Sequence, residues 1–214
     1  RRSVWNCNAT AGPVMPGSRQ RAEPMKPTSF DIAGRLVGPD HPPLVIAEVS
    51  ANHLGRIDRA LETIEAAAAC GAHAIKIQTY TADTITIDHD GPGFRIEDGL
   101  WKGRTLHELY REAETPFEWH EALFARAAEL GVPIFSTPFD HTAVDLLESL
   151  GAPAYKIASF EVTDLPLIAR VAQTGKPIIL STGMANLAEI HDAVRTAREH
   201  GNTGLALLHC LSAY

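Results

Sequence analysis

The chain has 214 residues, 45% of them hydrophobic, and carries 26 acidic against 19 basic side chains for a net charge of −7. That suffices for one large domain, with or without a tail, and the acidic balance argues against nucleic acid or an anionic membrane as the main partner. No apolar run approaches the roughly 20 residues of a membrane helix, and the opening RRSVWNCNAT lacks the apolar core of a signal peptide. Cys7, Cys70 and Cys210 are odd in number and widely spaced, which suggests neither a disulfide framework nor a zinc site and fits a reducing cytoplasm.

Residues 1–24 show no hydrophobic period, are rich in Arg, Pro, Gly and Ser, and do not begin with Met. They are expected to be a disordered or non-native leader. Residues 25–43 contain SFDIAGRLVGPDHPP, expected to form a short hairpin closed near Gly34. From Leu44 onward a strand–helix unit repeats. PLVIAEV is the first strand, and RIDRALETIEAAAACGA a helix with Ile57, Leu61, Ile64 and Ala68 on one face and Gly71 as its stop. HAIKIQ is the second strand. After a long insertion, TPFEWHEALFARAAELG is a helix for which Thr115, Pro116 and Glu118 suggest a capping box. VPIFST is the third strand, followed by a helix capped by Asp140 and ended by Gly151. AYKIAS, KPIILSTG and GLALLHC complete the set of six strands, separated by TDLPLIARVAQTG and by NLAEIHDAVRTAREHG with Asn186 as cap.

Six strands alternating with five helices imply a parallel sheet with right-handed crossovers. A doubly wound sheet and a (β/α)8 TIM barrel both fit. The strand ends decide between them, because every strand ends in polar residues: Glu48, Lys76 and Gln78, Ser136 and Thr137, Lys156 and Ser159, Ser181 and Thr182, and His209. A doubly wound sheet gathers its site at one switch point, whereas a barrel collects residues from all strand ends. No phosphate-binding glycine motif follows a strand. The expected fold is therefore a barrel of which residues 44–214 supply about six of eight strands. Either the sheet is open or the sequence is a fragment.

Lys76 and Lys156 stand inside strands that a parallel sheet covers on both faces, where an unpaired charge is expensive. They can snorkel or pair with a carboxylate, serve as a Schiff-base amine, or cradle an anion. The flanking hydroxyls of Thr137, Ser159 and Ser181 favour a cradle for phosphate and carboxylate. Glu48 shares a face with Ile46 and points into the barrel mouth, where it can act as a base, accept from a hydroxyl, or pair with a lysine. Glu161 is a second carboxylate at the same rim. Asn52 and His53 follow Glu48 in a turn, and a lone His is more often structural than a ligand. His209 has no partner at metal-ligand spacing. LWKGRTLHELY, in the insertion, is either a binding loop in which Trp101, Lys102 and Arg104 contact a polar ligand, or a short amphipathic helix on the rim.

In this order, IAEVSANHLG, AIKIQTYTADT, FSTPFD, AYKIASFE, DLPLI, GKPIILSTGMA and LLHC resemble the sialic acid synthase family of phosphoenolpyruvate-dependent nonulosonic acid synthases. KIQTYTADT and LWKGRTLHELYREAETP are most similar to its pseudaminic acid branch. The resemblance runs from Phe30 to Tyr214. It implies a (β/α)8 barrel followed by a small antifreeze-like domain, in a cytoplasmic, domain-swapped homodimer. It matches Lys76, Thr137, Lys156, Ser159 and Ser181 to phosphoenolpyruvate-binding positions. Ser212 joins them, although N-acetylneuraminate synthases carry Asn there. Glu48 and Glu161 match acidic residues of the catalytic site, and Gln78 and Tyr214 match sugar-side positions. The family's divalent metal, Mn²⁺ or Mg²⁺, is held by two histidines expected beyond the sixth strand, so no metal ligand is expected among these 214 residues.

The implied reaction condenses phosphoenolpyruvate with a 2,4-diacetamido-2,4,6-trideoxy hexose of altrose type, giving pseudaminic acid and phosphate. An N-acetylneuraminate or legionaminic acid synthase of the same family is the near alternative. A Schiff-base aldolase and a non-catalytic sugar-phosphate-binding module are the distant ones. Lacking two strands, the metal histidines and the capping domain, the 214-residue chain is expected to be inactive alone.

Overall fold

The computed structural model describes residues 29–210. The expected leader, and Ser212 and Tyr214, lie outside the described residues. Two short strands, β1 (Phe30–Ile32) and β2 (Arg35–Val37), pair antiparallel with Phe30 opposite Val37. Ala33 and Gly34 turn the chain at φ 52° and 83°, the left-handed pair that matches the twist of a two-residue hairpin. Asp31 Oδ1 accepts from the Gly34 amide at 2.8 Å and fixes that turn.

The remaining strands form one parallel sheet: β3 (Ile46–Glu48), β4 (Ala74–Thr79), β5 (Ile134–Pro138), β6 (Tyr155–Ile157), β7 (Ile178–Ser181) and β8 (Leu205–Leu208). Their spatial order is their chain order. Each crossover therefore moves one strand further in the same direction, and right-handed crossovers then place every helix on one face. A doubly wound sheet would reverse direction at a switch point. This is the winding of a barrel.

The crossover helices are α1 (Ile57–Ala69), α4 (His120–Glu129), α5 (His141–Ser149), α6 (Leu165–Ala172) and α7 (Leu187–Glu199). Their apolar stripes cover the outer face of the sheet. Ile64, Leu123 and Ala127 pack on Ile75, Ile77 and Ile134. Leu147, Leu167, Ile168 and Ala193 pack on Tyr155, Ile157, Ile178 and Leu180. Asp140 caps α5 by accepting from Thr142 and Ala143, and Asn186 with Glu189 forms a reciprocal box on α7. Thr115 does not cap α4. Its buried hydroxyl turns inward, 3.4 Å from His53 Nε2. The helix opens instead through a 3-10 turn, Phe117–Trp119, that follows the extended Pro116.

The inner face is built in two layers. At the entry end of the strands, Ala74, Phe135, Ala154 and Ile179 form an apolar layer with Ile32 of the hairpin; Phe30, Val37, Ile46 and Ala206 pack around it. The hairpin thus plugs that end of the half-barrel. Two residues further along each strand the pleat returns to the same face, and the side chains become Glu48, Lys76, Thr137, Lys156, Ser181 and Leu208.

The insertion between β4 and α4 folds as α2 (Ala82–Ile85) and α3 (Leu106–Ala113). Thr105 and Glu108 form a capping box on α3. His107 Nε2 lies 2.8 Å from Asp83 Oδ1, and Glu114 accepts from the Ala82 amide at 2.8 Å, so the two helices are tied together. Among the described residues no helix is long and apolar enough to cross a membrane.

Candidate active site

The polar layer is organised around two lysines. Lys76 Nζ pairs with Glu48 Oε2 and donates to Thr137 Oγ1 at 3.3 Å. The other oxygen of Glu48 accepts from the Ser50 hydroxyl at 2.9 Å and the Ser50 amide at 3.1 Å. Ser50 reaches that position by adopting φ 46°, a left-handed conformation costly outside glycine. The loop after β3 therefore clamps Glu48 from one side while Lys76 holds it from the other.

Lys156 is more deeply placed, with only 7% of its surface exposed. Its ammonium donates to the Ile157 carbonyl at 2.6 Å. Burial first, and the positive charge of Lys76 second, push its pKa down to about 8, against the opposing pull of Cys210, Glu48 and Glu161. Lys76 is neutralised by Glu48, whereas Lys156 has no carboxylate within ion-pair distance among the described residues. Glu161 acts on Lys156 from a distance, without an ion pair between them among the described residues.

Hydroxyls line the side next to Lys156. Ser181 accepts from the Cys210 thiol at 3.3 Å, and Ser159 accepts from the Gly183 amide at 3.2 Å. A Cβ at Gly183 would stand 3.1 Å from Ser159 Oγ and from both Cβ and O of Cys210. Glycine there lets the loop after β7 lie against both residues. Glu161 enters from a 3-10 turn after β6, Phe160–Thr163. Its Oε2 is buried without a hydrogen-bond partner among the described residues. Burial raises its pKa, and Lys156 opposes the rise.

The structure thus gathers Glu48, Lys76, Thr137, Lys156, Ser159, Ser181 and Glu161 at one mouth. Gln78, two residues past Lys76 on the same face, is half-buried there. Ser136 does not join them. Alternation turns it outward, where it lies 2.6 Å from Thr79 Oγ1 and donates to the Ile77 carbonyl. His53 is buried as a structural residue, its Nδ1 accepting from the Gly55 amide. Asn52 donates to the Val49 carbonyl within the same turn. His209 is exposed. In the insertion, Trp101 and Lys102 are exposed and Arg104 is tied back to Glu112 at 2.6 Å.

Sequence reasoning did not single out Ser50, Gly183 or Tyr110. Tyr110, on α3, packs edge-on against Tyr80 with ring centres 6.0 Å apart, and Tyr80 packs on Phe139 at 5.3 Å. Its one sequence signal is a place on the inward stripe of an amphipathic helix. Among the described residues, no group of three or more His, Cys, Asp or Glu side chains is arranged to hold a metal ion.

Known proteins share this arrangement of the chain. The NeuB family matches residues 63–214. Pseudaminic acid synthase of Helicobacter pylori is 47% identical over 173 residues, which is 81% of this chain and 51% of that protein. N,N'-diacetyllegionaminic acid synthase of Campylobacter jejuni is 36% identical over 174 residues, 80% of this chain and 52% of the relative. The chain spans about half the length of these curated relatives. The crystal structure of N-acetylneuraminic acid (sialic acid) synthetase from Leptospira borgpetersenii, in complex with citrate, superposes with a TM-score of 0.76 at 29% identity, over 88% of this chain and 61% of that one. The half-barrel with its lysine-lined mouth belongs to the NeuB family.

Proposed function

We propose that the chain forms the larger part of the active site of a phosphoenolpyruvate-dependent nonulosonic acid synthase. The observation that carries this reading is Lys156: a buried ammonium with no carboxylate in ion-pair contact among the described residues, beside a second lysine and a wall of hydroxyls. Phosphoenolpyruvate brings a carboxylate and a phosphate, and so supplies Lys156 with the direct anionic contact it lacks among the described residues. Lys76, Thr137, Lys156, Ser159 and Ser181 hold these two groups, with Ser212 completing the set. Anion binding draws the Lys156 pKa upward again, so the ammonium is fully charged where charge moves.

The methylene carbon of phosphoenolpyruvate attacks the aldehyde carbon of the open-chain amino sugar, forming the new C–C bond while the aldehyde C=O opens and its oxygen takes a proton from water to become a hydroxyl. Water adds to the oxocarbenium carbon that results. The tetrahedral product loses phosphate by C–O cleavage. Glu48, clamped between Ser50 and Lys76, positions that water or a sugar hydroxyl and accepts its proton. Glu161 acts as the second carboxylate on the sugar side, with Gln78 and Tyr214. The family's divalent metal, Mn²⁺ or Mg²⁺, is proposed for the whole protein. When bound, it would polarise the sugar aldehyde.

Among the substrates, the 2,4-diacetamido-2,4,6-trideoxy sugar of the pseudaminic branch is preferred over the legionaminic or neuraminic ones, on the 47% against 36% identities above. A homodimer in the cytoplasm completes the proposal. Leu54, Leu100, Phe160, Met184 and Leu187 stand exposed on the loops and helix starts that follow the strands, an apolar rim that suits a covering chain. Among the described residues Cys70 and Cys210 are free thiols.

The lowered pKa of Lys156 favours one second reading, a Schiff-base aldolase. A single set of assays separates the two. The complete protein encoded by this gene, with phosphoenolpyruvate, the diacetamido sugar and Mn²⁺, is expected to release one phosphate per sugar acid formed. Borohydride with pyruvate should label neither lysine. Covalent capture on Lys156 without phosphate release would overturn the synthase reading.

A further inference from the structure

Three hydroxyls of the mouth share one pattern. Thr137 accepts from the Lys76 ammonium at 3.3 Å, Ser159 from the Gly183 amide at 3.2 Å, and Ser181 from the Cys210 thiol at 3.3 Å. Each receives a hydrogen bond from behind, and none gives its own hydrogen to a described residue. Their chain neighbours behave differently. Ser136 donates to the Ile77 carbonyl at 3.1 Å, and Thr182 to the Leu208 carbonyl at 3.0 Å. Thr137 and Ser181 are only 1% and 6% exposed, so an unspent O–H at either position asks for an acceptor.

A hydroxyl can rotate between giving and receiving. A donor held against its oxygen removes that choice and turns its hydrogen the other way. Behind Thr137 and Ser159 the backing groups are an ammonium and an amide N–H, which only donate. Behind Ser181 the group is a thiol, whose direction follows from its surroundings. Cys210 Sγ has two oxygens in reach, Ser181 Oγ at 3.3 Å and the Leu208 carbonyl at 3.6 Å. That carbonyl already accepts from the Thr182 amide and the Thr182 hydroxyl, both at 3.0 Å, which occupies its two lone pairs. The thiol hydrogen is left to Ser181. Sulfur is a weak acceptor, so Ser181 gains little by donating back.

We propose that Cys210 is a positioning residue: its thiol fixes the Ser181 hydroxyl as a donor into the mouth, completing a wall of three hydroxyls that only give hydrogen bonds to a bound oxyanion. This rests on the proposed synthase reading, in which the oxyanion belongs to phosphoenolpyruvate. The two bonds stand in series. When Ser181 donates to an anion its oxygen becomes a better acceptor, so the bond from Cys210 tightens as the anion binds.

Calorimetric titration of the complete protein tests this. Affinity for phosphoenolpyruvate should fall roughly fivefold in Cys210→Ala, the worth of one neutral hydrogen bond, and return to within about twofold of wild type in Cys210→Ser, whose hydroxyl restores a donor. KM for the sugar should stay within about twofold in both variants. In a Ser181→Ala background Cys210→Ala should have no further effect, because the thiol acts through that hydroxyl. Difference infrared spectra of the wild type give a second readout. The Cys210 S–H stretch, identified as the band lost in Cys210→Ser, should move to lower frequency when phosphoenolpyruvate binds. An unmoved stretch, or an equal Cys210→Ala effect with and without the Ser181 hydroxyl, would overturn the positioning role and leave the synthase reading intact. Binding of inorganic phosphate but not phosphoenolpyruvate, with the same dependence on Cys210 and Ser181, would overturn the synthase reading and support the role. A wild-type protein that binds neither anion would overturn both.

Discussion

The two layers of the inner face use the same strands and teach opposite lessons. At the entry end, Phe135, Ile179, Ala74 and Ala154 meet the hairpin residue Ile32 and leave no polar group behind. Two residues on, the same strands carry Lys76, Thr137, Lys156 and Ser181. The apolar layer gains stability from burial and has nothing to bind. The polar layer holds a charge that burial opposes, and the proposed anion would relieve it. One turn of the pleat separates the part that folds the barrel from the part that works.

That division can be broken from either side. Phe135→Ala empties the apolar layer under the hairpin and is expected to cost about 3–5 kcal/mol of stability. Denaturant unfolding checks it, and the surviving folded protein should keep its KM for phosphoenolpyruvate. A large KM change at full stability would erase the distinction between the layers. Lys76→Gln does the converse. It is expected to weaken phosphoenolpyruvate binding roughly hundredfold, by removing a charge-assisted contact and freeing Glu48 to repel the anion. Its unfolding midpoint should move little, because the lost Glu48 pair is partly exposed.

Smaller effects sharpen the comparison. Gly183→Ala brings a methyl within 3.1 Å of Ser159 and Cys210. It should weaken phosphoenolpyruvate binding roughly tenfold by moving those side chains apart, since a small displacement of positioned groups is felt strongly. The smallest expected effect comes from the outer face. His120 lies fully buried, with Nε2 2.8 Å from Thr79 Oγ1 and Nδ1 donating to the Pro116 carbonyl. Burial lowers its pKa below the ordinary 6.5. The unfolded chain then binds more protons than the folded one, so stability is held above pH 6.5 and lost as pH falls through that range. His120→Gln should flatten that part of the stability profile.

Much of the architecture was legible in the sequence. The strands announce themselves as short apolar runs between capped helices, and Asp140 and Asn186 cap as their positions suggest. The lysines stand out because a charge inside a doubly covered strand has few innocent explanations. Alternation also exposes a misplaced strand-end residue: counting from Phe135 turns Thr137 inward and Ser136 away. Three features needed coordinates. Thr115 has the sequence of a cap, but its hydroxyl is drawn to His53, a partner 62 residues away. Gly183 looks like any loop glycine until Cys210 and Ser159 are seen against it. Tyr110 meets Tyr80 only because the insertion folds back toward the end of β4. Local rules see neighbours along the chain, and these contacts join distant segments.

The central claim is that the uncompensated charge of Lys156 is the anchor for phosphoenolpyruvate. The most direct measurement is calorimetric titration of phosphoenolpyruvate into the complete protein between pH 7 and 9.5, for wild type and Lys156→Gln. The free lysine titrates at about 8 and the anion binds its charged form. Wild-type affinity should therefore fall by up to about tenfold per pH unit above that point, with proton uptake on binding. Lys156→Gln should bind roughly hundredfold more weakly and lose that slope. Equal affinity and the same pH profile for the two proteins would contradict the account.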